Sequence, residues 1–281
     1  MFFSRRVIRK LIDGYEDFKE TWKLVMKKAD VEMMNELALA VKFFLSKHPG
    51  NCYDKNCNQR AIPQSPLHVA TEAGQVSLCE FILKITKDKN PGIKVPSHEG
   101  WTPLHEAAFC GHLLICSMIM DQIQGKNPRD DEGWTPLHAA AQEGQLQTFK
   151  MIMNKVGTEI NPSDNEGTTP LHAAAGCGHL LICSMIMEKI QDKIPADEDG
   201  YTPLHAAAAE GHLETFKMIM NKAGTDINPR DNEGWTPLHS AAAGDQREMW
   251  KFIADKIENK NPEDNHGVTP QELMWDNICT N

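Results

Sequence analysis

One short phrase recurs along the chain at an almost constant step, and that recurrence limits the folds open to it. Thr-Pro-Leu-His stands at Thr102–His105, Thr135–His138, Thr169–His172, Thr202–His205 and Thr236–His239. Ser65–His68 is a close variant, and Val268-Thr269-Pro270 opens a further copy that breaks off. The prolines of these phrases, Pro66, Pro103, Pro136, Pro170, Pro203, Pro237 and Pro270, lie 37, 33, 34, 33, 34 and 33 residues apart. A fixed period of this length marks an array of small units. Each is too small to bury its own apolar face and is stable only when stacked on its neighbours.

The chemistry of one unit follows from residues 130–153. Thr135 is placed to cap a helix through its hydroxyl. Pro136 follows at the first helical position, where the missing N–H costs nothing. Leu137, Ala140 and Ala141 put one large and two small apolar groups on a packing face, and Gly144 ends the short helix in a left-handed conformation. A second apolar run, Leu146 to Met153, has helical spacing. An Asn-Pro and an Asp/Asn-rich turn then lead into the next copy. The unit reads as helix, turn, helix, extended loop.

These residues resemble the ankyrin repeat. Asp-x-x-Gly-x-Thr-Pro-Leu-His-x-Ala-Ala-x-x-Gly-His-Leu is nearly complete at Asp197–Leu213 and recurs from Asp130, Asp164 and Asp231; before Trp101, Ser97 replaces the Asp. The resemblance covers about residues 65–281. It implies an all-α repeat solenoid of stacked helix-turn-helix units with short β-hairpin loops, and a role in binding other proteins. The expected organisation is a basic tail at 1–12 and a degenerate helical capping repeat with its loop at 13–64. Repeats follow at 65–96, 97–129, 130–163, 164–196, 197–230 and 231–262, and a truncated capping repeat at 263–281 closes the chain.

The ends depart from the pattern in ways a cap requires. Phe18, Trp22, Val25 and Met26 form one apolar stripe, and Val31, Met34, Leu37, Ala38, Val41 and Leu45 form another. The expectation is a first repeat whose outer face is polar, because an ordinary copy would leave apolar surface at the end of the stack. In the last full copy Asp245 replaces the turn Gly, a residue that tolerates the left-handed conformation better than most, and Trp250 is expected to cover the end of the core. A longer period also appears: residues 111–120 are repeated letter for letter at 178–187, and 148–155 at 215–222, both 67 residues apart. Duplication of a two-repeat block accounts for this, so alternate copies should present the same groups.

Composition excludes several function classes. No apolar run spans a bilayer, and Met1–Ile12, although basic and partly apolar, lacks the apolar core and cleavage site of a secretory signal. Of the eight cysteines, Cys79, Cys116 and Cys183 share one register on the second helix, filled by Phe149 and Phe216 in other copies, so Cys acts there as a small hydrophobe. A reducing compartment is expected, cytoplasmic with a nuclear location allowed. His48, Cys52 and Cys57 fall short of a four-ligand zinc site. Nine of the twelve histidines belong to Thr-Pro-Leu-His (or its Ser variant) or Gly-His-Leu and recur because the repeat recurs, so their expected work is bonding loop backbone. No catalytic constellation or phosphate loop stands out, and no catalytic, cofactor or metal site is assigned. Residues 61–281 hold 17 Lys+Arg against 31 Asp+Glu, a balance that repels nucleic acid.

Candidate binding residues are those the repeat leaves free. The residues before each Thr form a column of loop tips: Trp101, Trp134, Thr168, Tyr201, Trp235 and Val268. Large aromatics at such positions are typical anchors in protein interfaces; the competing role is packing against the next finger. Acidic neighbours flank them: Asp131, Glu132, Glu166, Glu198, Asp199 and Glu233. On the first helix the free pairs are Phe109 and Cys110, Gln142 and Glu143, Gly176 and Cys177, Ala209 and Glu210. The expected function is a non-catalytic adaptor, a monomer that binds other proteins through a basic or basic-apolar segment on a concave surface of tips and inner helices. Two alternatives are a regulatory or inhibitory subunit of an enzyme and a membrane-associated scaffold.

Overall fold

The computed structural model describes residues 19–47, 65–92, 100–224 and 227–279. The basic tail at 1–12, Phe18, Ser97, the loop at 48–64 with its His48, Cys52 and Cys57, and part of the extension at 87–96 lie outside the described residues. Among the described residues the chain forms helices and no strand. The first are α1 (Lys19–Lys28) and α2 (Val31–Lys47). Short first helices then alternate with longer second ones: α3 (Pro66–Glu72), α4 (Val76–Ile85), α5 (Pro103–Phe109), α6 (Leu113–Gln122), α7 (Pro136–Gln142) and α8 (Leu146–Val156). The series continues with α9 (Pro170–Gly176), α10 (Leu180–Met187), α11 (Pro203–Ala209), α12 (Leu213–Ala223), α13 (Pro237–Ala243), α14 (Arg247–Ala254) and α15 (Pro270–Cys279). The chain divides into two compact units, residues 1–136 and 137–281. In the first, α3 packs on α5 and α4 on α6; in the second, α9, α11, α13 and α15 pack in sequence, as do α8, α10 and α12. First helices stack on first helices and second on second, the arrangement of an all-α repeat solenoid.

The first helices start alike, and in several copies their free N–H groups are answered. Pro at N1 has none. The N–H of Leu at N2 is met from the preceding loop: Asn161 Oδ1 accepts from Leu171 at 3.0 Å and Asn228 Oδ1 from Leu238 at 3.1 Å. The Thr backbone N–H donates to the ring of the His three residues on, Thr202 to His205 Nδ1 at 3.1 Å, and the Thr202 hydroxyl reaches the same nitrogen at 2.9 Å. This is a capping box in which His stands where Glu or Gln is usual. A backbone N–H can only donate, so Nδ1 is the acceptor and Nε2 carries the proton. That proton is used between copies: His205 Nε2 donates to Trp235 O at 3.3 Å, His172 to Tyr201 O at 3.1 Å and, in the first unit, His105 to Trp134 O at 3.1 Å. The terminal copy supplies Glu272 for His, accepting from the N–H and hydroxyl of Thr269 at 2.8 and 2.9 Å.

The turns and cores are equally regular. Gly144 has φ +69°, and a Cβ there would meet the His179 ring at 2.4 Å, so both sign of φ and space require glycine. Asp245 has φ 52°, the one non-glycine positive φ among the described residues, as its place in the last full copy demands. Cys79, Cys116 and Cys183 are buried, and burial pushes each thiol up to about 12, which leaves them unreactive apolar groups. Phe149 and Phe216 fill the same register and are wholly buried. The copies end the second helix in two ways. Lys126 Nζ donates to the carbonyls of Met120 and Ile123, and Lys193 to those of Met187 and Ile190. Lys89 does the same for Leu83 and Thr86, whereas Gly157 and Gly224 follow their helices at positive φ, with Gly224 N donating to Met220 O at 3.1 Å.

The amino-terminal cap departs from expectation. Trp22, Val25, Met34, Leu37 and Val41 are buried, but Val31 is 59% exposed and outside the core. At about 100° per residue it lies well off the centre of the stripe made by Met34, Leu37, Ala40 and Val41. Leu39 and Phe43 fall on the far side and are exposed too, beside exposed Glu32 and Asn35, so the outer face of this cap is mixed and not polar throughout. The side chain of Leu45 lies outside the described residues. At the other end Trp250 is half-buried between the buried Met249 and Ile253, and covers the core only in part.

Two outcomes follow. Asn228→Ala should lower stability by about 1 kcal/mol, as loss of a helix-capping acceptor does, read by urea unfolding. Acid should weaken the fold. Burial drives His68 down to about 3 and His205 to about 4, and lowers His172 and His239. Unfolded, each ionises near 6.5. The contribution of each is full above that pH and declines as the pH falls toward the folded value, by up to about 1.4 kcal/mol per unit per histidine. Urea midpoints at neutral pH and at about pH 5 should differ in that direction.

Candidate protein-binding surface

The finger that joins one copy to the next is built by a single carboxylate. Asp231 Oδ1 accepts from the N–H of Glu233 at 2.9 Å and of Trp235 at 2.7 Å, while Asp231 N donates to Trp235 O at 2.9 Å. Asp130, Asp164, Asp197 and Asp264 form the same loop around their own neighbours. A chain that turns this tightly forms one cross-link instead of a ladder, so the finger is a hydrogen-bonded turn and not a pair of strands. In the second unit the fingers bond to each other: Glu198 N donates to Glu166 O, Asn232 N to Asp199 O, and Asn265 N to Glu233 O, at 2.8–3.0 Å. The side-chain amides of Asn232 and Asn265 add bonds to Glu198 O and Asn232 O, both at 2.9 Å. These asparagines were readable only as turn residues, because nothing local distinguishes an Asn that bonds across copies.

The tip aromatics have a structural role as well as exposed surface. All four are half-buried. Trp101, Tyr201 and Trp235 stack on His105, His205 and His239 with ring centroids 4.9, 5.0 and 5.9 Å apart. Trp101 Nε1 donates to Glu106 at 3.0 Å, and Trp235 Nε1 to Asp264 of the next finger at 3.0 Å. Packing against the next finger and partial exposure therefore coexist at Trp235. Phe109 lies edge-on to Trp101 at 6.4 Å, so both are brought together in the first unit with exposed Asp131 and Glu132 and half-buried Trp134.

The remaining candidates fall in the second unit. Thr168 is half-buried, and its carbonyl accepts from His138 Nε2 at 3.1 Å. Glu166, Glu198 and Asp199 are exposed and make no side-chain bond. Glu233 is less free: its carboxylate meets His266 Nε2 at 3.1 Å, a partner in the next copy that sequence spacing did not single out. Gln142 is half-buried with its carbonyl bonded to His179 Nε2 at 2.8 Å, and Glu143 beside it is exposed. Among the described residues no group of three or more His, Cys, Asp or Glu is arranged to hold a metal, and no helix is long and apolar enough to cross a membrane.

Stacked helix pairs, left-handed turn glycines and Asp-centred fingers define a class of repeat protein whose outward groups are set by its loops. A family model of ankyrin repeats matches residues 31–130, 67–164, 119–197, 148–231 and 188–265 in overlapping copies. The chain belongs to the ankyrin-repeat family, whose members generally mediate protein–protein interaction and are typically non-catalytic. No curated protein matches it.

Trp235→Phe should keep the ring on His239 but lose the N–H bond to Asp264. A loss of about 1 kcal/mol is expected, seen as a lower urea midpoint, and Asp264→Asn in the same background should add little further.

Proposed function

We propose that this protein is a non-catalytic adaptor that binds partner proteins on the finger tips and the adjoining face of the first helices, and that the partner offers a basic or basic-apolar segment. One observation carries the reading. Glu132, Glu166, Glu198 and Asp199 stand exposed at the tips without an ion pair, beside half-buried aromatics held in place by stacked histidines. Carboxylates left unneutralised on a rigid frame favour a cationic partner and speed its approach. Aromatic rings whose positions are already set add contact area with little loss of side-chain freedom. The histidine and aspartate networks need no rearrangement to present these groups, so little change of shape on binding is expected. A chain of this charge in a reducing compartment of the cell fits such a role.

The test compares the wild-type chain with a variant carrying Glu132→Gln, Glu166→Gln, Glu198→Gln and Asp199→Asn as bait in affinity capture. Proteins held by the wild type at about 50 mM salt and released at about 500 mM should be recovered at least about tenfold less by the variant. Equal recovery by both baits, whatever the salt, overturns the acidic-tip reading and leaves an apolar interface.

A further inference from the structure

Helix α2 has a second apolar face, turned away from the one it buries. Val31, Asn35, Leu39 and Phe43 follow each other at steps of four, so they share one side of the helix. Val31 is 59% exposed, Leu39 57% and Phe43 39%. Three of the seven exposed large apolar residues among the described residues are on this one helix, so they form a patch and are not scattered. Carboxylates lie on the same side. Glu32 is exposed, and Glu36 is half-buried with one carboxylate oxygen shut off from water and without a hydrogen-bond partner. The end unit of a stacked array is stable when its outer face is polar, and an apolar stripe edged by carboxylates does not meet that condition until something basic and apolar covers it.

The chain itself supplies such a segment. Residues 1–12 read Met-Phe-Phe-Ser-Arg-Arg-Val-Ile-Arg-Lys-Leu-Ile. Wound as a helix at about 100° per residue, this stretch puts Phe3, Val7, Ile8, Leu11 and Ile12 on one side and Arg5, Arg6, Arg9 and Lys10 on the other. Arg5 and Lys10 stand at the two borders of the apolar side, where long side chains reach sideways to carboxylates beside a stripe. A helix of this length is marginal alone in water, so its apolar side needs a surface. The sizes match: a helix over residues 1–12 is about 18 Å long, and Val31 to Phe43 spans about 18 Å. Residues 13–18 can extend over about 20 Å, against about 15 Å for the length of α1, so residues 1–12 can reach α2.

We propose that residues 1–12, which lie outside the described residues, form an amphipathic helix that docks on the Val31–Leu39–Phe43 face of α2, its border cations meeting Glu32 and Glu36. The segment thereby completes the amino-terminal cap. Two other pairings have complementary chemistry: an anionic membrane for the basic segment and a second copy of the chain for the apolar face. The tethered segment is favoured over both, because the short connection through residues 13–18 keeps it beside the face at roughly millimolar effective concentration, whatever the concentration of the chain. The docking is independent of the finger-tip surface.

The test is amide hydrogen exchange of the full chain, read by mass spectrometry. Leu39 is exposed and outside the core, so Leu39→Asp should keep the fold of α2. It should nonetheless speed exchange across residues 4–12 about tenfold. Val7→Asp, a change within the segment itself, should speed exchange in α2, and the two substitutions together should add little to either alone. Unchanged exchange across residues 4–12 in Leu39→Asp, or in α2 in Val7→Asp, overturns the docking. Vesicles of equal parts phosphatidylserine and phosphatidylcholine and analytical ultracentrifugation separate the other pairings. Strong sedimentation of wild type and Leu39→Asp alike with the vesicles assigns the segment to a membrane. A wild type that is a dimer, with Leu39→Asp a monomer, assigns the face to a second copy. Either result also overturns the proposal.

Discussion

The rest of the structure hangs on one bond relay. A Thr backbone N–H and hydroxyl fix the Nδ1 of the His three residues later, and the Nε2–H of that His reaches the carbonyl of the next finger. One side chain thus caps its own helix, chooses its own tautomer and ties its copy to the following one. Because both ring nitrogens are occupied by groups of fixed polarity, a second proton has no place to go, and burial reinforces this. The bond needs only that the next finger bring its carbonyl to the ring, so it survives a change in the length of chain between them. The one long step, between Pro66 and Pro103, is taken up ahead of the finger, and His68 still reaches Trp101 O at 3.1 Å.

A frame of this kind separates stability from recognition more cleanly than most folds do. The relay uses Thr, Pro, Leu and His; the turns use Asp and Gly; the core uses Leu, Ile, Ala and the Cys/Phe register. What remains is a short set of outward positions per copy, and the chain varies them. The aromatics sit on the border between the two sets. Trp235 bonds to the next finger and still leaves part of its ring uncovered, whereas Tyr201 is half-buried with its ring stacked on His205. The tips therefore differ in what they can offer a partner even where the residue class is the same. Duplication of a two-repeat block shows in the frame as well: Lys126 and Lys193 close their helices alike, and Leu114 and Leu181 are both well exposed on the second helix.

Most of the frame could be read directly. Proline spacing, the Thr cap, the left-handed Gly144 and its substitute Asp245, and the burial of Cys79, Cys116 and Cys183 are properties of a residue and its near neighbours. Val31 and Leu39 show where such reading weakens, since apolar identity does not say which side of α2 is covered. Asn228 shows a different limit. An Asn before Pro looks like a turn residue, yet its amide oxygen caps a helix that begins well downstream, and only the folded loop brings the two together. In the copy where Ile194 takes that place, Leu204 has no such acceptor from the loop. At the candidate surface the tip column was legible from the repeat register, while the pairing of Glu233 with His266 was not.

By itself the sequence determined that this chain is a stack of like units, how its first helices begin and turn, and which positions the repeat leaves free. These follow from period, capping chemistry and backbone conformation, all of them short-range. Tertiary structure alone decided how the left-over positions meet. Glu233 and His266 are 33 residues apart along the chain and become neighbours only because stacking sets one copy directly upon the next. The physical reason is that a repeat carries its own local bonds wherever it stands, but the chemistry of a surface depends on which side chains the stacking brings within reach of each other.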